Sequence, residues 1–274
     1  MKIKSIKAIT LSMPFSHGGK KVIFHGKEWK NLEFNLIKVE TDKGITGWGE
    51  AFGYSCWKSV KIAIEDMISP LLIGKDMNNI PELLLTLQKS LHLFGRYGIT
   101  MFAISGVEIA LWDALGKEKN KPIHQLLGDK NNDLFKAYSS LFRYGDSKKI
   151  EEKCKQSIDD GYQAIKLHEV ENDCIEAGRK GTGNLPLMLD ANCTWSFEET
   201  LEKKDFLKSM KLTWLEEPIY PPEDYQMLAK LNKELDIPIA CGENACTEFE
   251  FKSMINHKAV TFVQPSVIKV GGIY

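Results

Sequence analysis

No C-x-x-C pair occurs among the six cysteines of this 274-residue chain, which excludes the common thioredoxin-like and zinc-ribbon motifs. A chain this long also buries a core without disulfide staples. Cys56, Cys154, Cys174, Cys193, Cys241 and Cys246 therefore read as reduced thiols of a cytoplasmic protein. An excess of either charge is lacking too. With 36 basic and 37 acidic residues, the formal net charge is −1, so no strongly basic face is implied, and neither nucleic acid nor a membrane surface is an expected partner. No apolar run reaches the roughly 18 residues a spanning helix needs. The opening MKIKSIKAITL alternates like a strand and lacks the apolar stretch of a signal peptide. What remains is the composition of an ordinary globular protein, long enough for one large domain or two smaller ones.

The first part of the chain has the pattern of an antiparallel unit. Strands are expected at Ile3–Leu11, Leu32–Thr41 and Thr46–Ala51, with Asp42-Lys43-Gly44 as the hairpin turn. Between the first two lies a loop of about residues 14–31 that holds His17, Lys20, His25 and Trp29. Loops of this length are commonly functional lids or disordered links. From Ser59 to Gly128 the apolar period becomes helical, and strands followed by helices without alternation make an α+β unit. Lys121-Pro122 and the breaker-rich segment after Leu126 mark its end, giving domains at 1–128 and 129–274.

Beyond that boundary strands and helices alternate. Strands are expected near 136–142, 162–168, 185–190, 212–217, 237–242 and 260–265. Helices such as Ser147–Asp160, Ser196–Met210, Pro222–Leu235 and Thr247–Asn256 lie between them, and Ser196 with Glu199 forms a capping box. This spacing means parallel pairing with right-handed crossovers. Six strands are two short of a closed eight-stranded barrel, so the expected barrel is truncated after its sixth strand, with an exposed edge along Val260–Val270.

Three of these strands end in acids: Asp190, Glu216 and Glu243 fall 26 and 27 residues apart, about one strand plus its return helix. A parallel barrel gathers successive strand ends on one rim. Three carboxylates there repel one another unless a cation lies between them, and all-oxygen donors suit a hard ion such as Mg²⁺. Asp190 alone would read as a helix cap or ion-pair partner; the equal spacing of three favours the metal. Glu217 reads as a support for Glu216 or for a neighbouring strand, and Asn192 as a contact of the ion's ligands or of its bound water.

These residues carry a family resemblance. Gly47-Trp48-Gly49-Glu50-Ala51, Ala110-Leu111-Trp112-Asp113-Ala114, Lys166-Leu167-His168, Asp190-Ala191-Asn192, Glu216-Glu217-Pro218, Gly242-Glu243-Asn244 and Gly271-Gly272 occur in the order and spacing of the enolase superfamily. The chain resembles its mandelate racemase and muconate lactonizing branch. The resemblance implies an α+β capping domain followed by a TIM-type (β/α) barrel, with Mg²⁺ on Asp190, Glu216 and Glu243. It also implies removal of the proton α to a carboxylate to give a metal-stabilised enediolate. By the same resemblance Lys166 contacts the substrate carboxylate, and His168 stands where the family's usual base, a lysine, is found. Only the analogy with the family's specificity loop lifts His17, Lys20 and Trp29 above ordinary loop residues.

The chemistry supports that assignment. Lys166 and His168 are two apart on a strand and share a face, and an imidazole with an ordinary pKa near 6.5 is a credible base at neutral pH. Ser266 replaces the acid or lysine that relatives carry on the sixth strand. Serine cannot serve unaided as an opposite-face base, which favours a one-base reaction such as dehydration. Lys269, three residues further on, would point to the other face of a strand. The expected protein is thus a Mg²⁺-dependent sugar-acid dehydratase and a homo-oligomer, acting on a small carboxylic acid. The alternatives are a racemase or epimerase of a hydroxy or amino acid, and a catalytically incomplete metal-binding fragment.

Overall fold

The computed structural model describes residues 1–274 except positions 17, 25 and 129–133; His17 and His25 are therefore outside the described residues. The chain opens with β1 (Ile3–Pro14), a two-stranded ribbon of β2 (Ile23–Phe24) and β3 (Lys27–Glu28), then β4 (Asn31–Thr41) and β5 (Thr46–Ala51). β1, β4 and β5 pair antiparallel in that order. On β4 the residues Asn35, Ile37, Val39 and Thr41 are buried while their neighbours are half-exposed, the period-two pattern of a sheet covered on one face. Gly44, with φ of +75°, lets the hairpin turn close.

The covering element is the helix Gly98–Lys119, buried at fourteen of its 22 positions. It lies so close to β5 that a Cβ placed on Gly49 would fall 2.3 Å from the Gly106 carbonyl oxygen. By length and composition this helix could cross a membrane, a property that a search for unbroken apolar runs misses because Glu108 and Asp113 interrupt its apolar residues. In the fold, 72% of its most apolar window is buried against protein, as befits a core helix.

The second sheet consists of β6 (Ser139–Ser140), β7 (Ile165–Leu167), β8 (Leu187–Asp190), β9 (Trp214–Glu216), β10 (Ile239–Cys241) and β11 (Phe262–Val263). All neighbours are parallel and in chain order, and β6 and β11 are the two edges of an open sheet. Each expected strand is present but shorter, two to four residues long. Intervening helices are Ser147–Asp159, Asn172–Thr182, Phe197–Glu202, Lys204–Ser209, Tyr225–Leu235 and Glu248–Asn256. The helix expected over Ser196–Met210 is thus divided at Lys203. Asn172–Thr182 is an addition to the expected helices, its pattern weakened in sequence by two glycines. The Ser196–Glu199 capping box forms as expected.

A buried acid ties the two layers together. Glu108, 2% exposed, accepts from Trp112 Nε1 at 2.6 Å and from the backbone N–H of Ile273 and Tyr274 at 2.8 and 3.1 Å. Gly271 N donates to Ser105 Oγ at 2.8 Å. Gly272 has to be glycine at this approach, since a Cβ would meet the Glu108 carboxylate at 2.0 Å.

Candidate active site

Parallel pairing decides which strand ends meet. β8 and β9 are registered with Asp190 beside Glu216, so two carboxylates, each 2% exposed, stand at the same level of the sheet. Lys166, on β7, is buried and bridges them, with Nζ 3.1 Å from Asp190 Oδ2 and 2.7 Å from Glu216 Oε1. His168 Nε2 lies 3.2 Å from the same Asp190 oxygen. Its Nδ1 makes a short hydrogen bond to the Leu141 carbonyl. A carbonyl can only accept, so Nδ1 carries a proton and Nε2 is the atom that gains or loses one.

The charges of this group are mutually dependent. Burial alone would raise Asp190, but the hydrogen bond from His168 and the Lys166 ammonium hold it below the usual carboxylate range. Glu216 is raised, by burial and then by the charge of Asp190, with Lys166 opposing. For Lys166, burial disfavours the ammonium, yet the two carboxylates outweigh it and the net shift is upward. Trp214 Nε1 donates to the remaining Glu216 oxygen at 3.0 Å. Asn192, with φ of +47°, turns its backbone N–H onto Asp190 Oδ1 at 2.9 Å.

Glu243 stands apart from the pair. β10 places Ala240 opposite Glu216, so Glu243 leaves the sheet three residues later, its side chain 43% exposed and its Oε1 3.8 Å from Lys269 Nζ. Among the described residues no three His, Cys, Asp or Glu side chains are grouped to hold an ion. Lys269 itself departs from the strand-parity expectation. β11 ends at Val263 and Ser266–Lys269 is a turn, with Lys269 N bonded to the Ser266 carbonyl at 2.8 Å. The Lys269 ammonium is thereby buried beside Asn244 Oδ1 at 3.5 Å and over the Phe52 ring at 4.6 Å. The signal was Pro265, which ends a strand. The Ser266 hydroxyl makes no hydrogen bond among the described residues.

Two loop candidates pack on the cap and on the segment after β6. Trp29 packs on Phe15 and Tyr54, with centroids 5.0 and 5.5 Å apart, and Lys20 lies against Gly145. Arg143 is a residue the sequence did not point to; its only signal is its place just beyond the first strand of the parallel sheet, where loop residues of such folds act.

Glu217 bonds to the segment after β10, accepting from Asn244 Nδ2 at 3.2 and 3.3 Å. Burial, then the charges of Glu243 and Asp190, push its pKa up from 4.5 to about 7. The folded state therefore holds a proton that the unfolded chain releases near 4.5, and stability falls as pH rises across that window. In metal-free protein, Glu217→Gln should melt higher than wild type at pH 8, by on the order of 2 kcal/mol, with the two converging near pH 4.5. An offset in calorimetry that stays constant from pH 4.5 to 8 would rule out this cause.

Comparison with known proteins assigns the family. A model of the mandelate racemase / muconate lactonizing enzyme N-terminal domain matches residues 25–128, and one described as enolase C-terminal domain-like matches 149–274. An arabinonate dehydratase of Saccharolobus solfataricus is 34% identical over 253 residues, covering 88% of this chain and 67% of that protein. The chain belongs to the enolase superfamily. Another superfamily relative, the N-succinyl-L-Arg/Lys racemase of Bacillus cereus, is 27% identical across all of this chain and 74% of its own. A superfamily structure from Bradyrhizobium, complexed with magnesium and mandelic acid, has 29% identity and a TM-score of 0.86, covering 99% of this chain and 76% of its own. The chain thus spans about two thirds to three quarters of these relatives.

Proposed function

We propose that this chain, with a cap of residues 1–128 and a barrel domain of 129–274, carries the site of a Mg²⁺-dependent sugar-acid dehydratase that removes the proton α to a carboxylate. The observation that carries the reading is the placement of His168 Nε2 and Lys166 Nζ on one side of the registered Asp190–Glu216 pair. The donor chemistry fits a hard divalent ion: two buried, mutually repelling carboxylates at one level, with the Glu243 carboxylate two residues beyond the next strand. Asp190, Glu216 and Glu243 would hold it. When bound, the ion supplies Lewis-acid stabilisation of the negative charge that develops on the substrate carboxylate.

The chain's own residues do the rest. Lys166 offers its ammonium to a substrate carboxylate oxygen. The Leu141 carbonyl keeps the Nδ1 proton of His168 in place, so that Nε2, once it no longer donates to Asp190, is the atom that accepts the α-proton. The imidazolium then returns that proton to the β-hydroxyl as its C–O bond breaks, releasing water and an enol that tautomerises to a 2-keto acid. Asn192 orients Asp190 through its backbone N–H. Similarity to arabinonate dehydratase supports this choice of reaction.

A racemase or epimerase is the second reading, favoured by Lys269. Its ammonium is beside Glu243 and Asn244, across the row of strand ends from Lys166 and His168, where a second acid or base would act. Sugar acids incubated with protein and Mg²⁺ in D₂O separate the two. A 2-keto product is the expected outcome; α-deuterium in recovered substrate without elimination would establish the second reading. Metal binding with neither outcome would reduce the chain to a metal-binding fragment.

A further inference from the structure

The segment after β6, Leu141 to Gly145, is where the cap loop meets the parallel sheet. The Phe142 ring packs 4.9 Å from Phe15, and Lys20 N donates to the Tyr144 carbonyl at 3.4 Å. Between these contacts stands Arg143, exposed to solvent. Its Nε donates to the His168 carbonyl at 2.6 Å, and one Nη reaches Asn192 Oδ1 at 3.4 Å and the Ala191 carbonyl at 3.5 Å. These acceptors fix the plane of the guanidinium but carry no formal charge. Among the described residues no carboxylate lies within 4.0 Å of it, and its other Nη makes no hydrogen bond. Glu169, the nearby buried acid, is occupied by the backbone N–H of Tyr144 and Gly145. Lys20 brings a second cation to the same rim: a Cβ on Gly145 would sit 3.7 Å from its Nζ.

We propose that Arg143 is a specificity-determining residue that binds a second carboxylate of the substrate, at the end remote from the α-proton. The substrate class is then a polyhydroxy diacid. This rests on the proposed function, which places the reacting carboxylate at Lys166, Asp190 and Glu216. A chain extending from that point toward the cap loop passes His168 and Asn192, and both hold Arg143. A rigid guanidinium with a free edge matches a carboxylate's two oxygens in a way that a terminal hydroxyl cannot.

Galactonate and galactarate test this, because they share configuration at four carbons and differ only in whether the sixth is a hydroxymethyl or a carboxylate. The arabino and xylo pairs serve as further probes. With the full chain and Mg²⁺, wild type should process the diacid of a pair at least about tenfold more efficiently in kcat/KM. Arg143→Met should lower that value about 30-fold, the scale of lost hydrogen bonds to a charged group, and leave the monoacid within about threefold. Arg143→Lys should recover part of the loss. Equal losses on both acids would show that Arg143 only supports His168 and Asn192, and a wild-type preference for monoacids would equally overturn the proposal. If no acid shows exchange or turnover, the proposed function fails on its own. Calorimetric titration of the same pairs then decides the inference: tighter diacid binding that vanishes in Arg143→Met sustains it, and no difference removes it.

Discussion

Replacing His168 with Asn should lower α-proton exchange by about 10²–10⁴-fold, the usual contribution of a positioned general base, while Mg²⁺ affinity stays within a few-fold of wild type. The side-chain amide nitrogen of Asn can still donate to the Leu141 carbonyl, which now receives Nδ1–H, so the β6–β7 contact survives. What disappears is Nε2, the atom 3.2 Å from Asp190 Oδ2. On the proposed ligand set of Asp190, Glu216 and Glu243, metal affinity changes little because none of the three lies on β7 and the lost contact is the single one to Asp190 Oδ2. Exchange measured by NMR in D₂O, beside a calorimetric Mg²⁺ titration, separates the two effects. Exchange at the wild-type rate would transfer the role to Lys166.

Glu216→Gln is expected to weaken Mg²⁺ by at least about 100-fold, above the range seen when only an outer partner of a ligand is lost, and to abolish turnover with it. The cost to the fold should be far smaller. The Gln carbonyl can still accept from Trp214 Nε1 or Lys166 Nζ, which now donate to Glu216 at 3.0 and 2.7 Å, and Lys166 keeps Asp190 as its counter-ion. Removing one of two neighbouring buried carboxylates also relieves the repulsion that raises Glu216. A loss of roughly 1–2 kcal/mol is the expected scale, below the 3–5 kcal/mol of a wholly broken buried pair. A variant that binds Mg²⁺ as wild type would show that the acids at 190, 216 and 243 are not the metal's ligands.

Much was legible in the chain itself. Period-two and helical patterns located the strands of the antiparallel sheet and the six parallel strands, because alternation follows directly from which faces are buried. The spacing of Asp190, Glu216 and Glu243 pointed to strand ends, of which Asp190 and Glu216 register side by side while Glu243 stands two residues beyond β10; Lys166 and His168 both reach Asp190. Pattern and spacing are local facts: they need only the identity of an element and its period.

Register and backbone departure belonged to the tertiary structure. Pairing Asp190 with Glu216, and Ala240 instead of Glu243 with Glu216, is set by how the strands stack between their helices, and no single strand encodes it. Lys269 reached the site because the chain leaves β11 in a turn after Pro265, which cancels the parity that a longer strand would impose. Arg143 gained meaning only when its guanidinium came to rest on the carbonyl of His168, 25 residues away in sequence. Spacing in one dimension selects the elements that carry chemistry. Distance between side chains is fixed by packing in three, and that is where the carboxylate pair, its bridging lysine and the charge at the rim were decided.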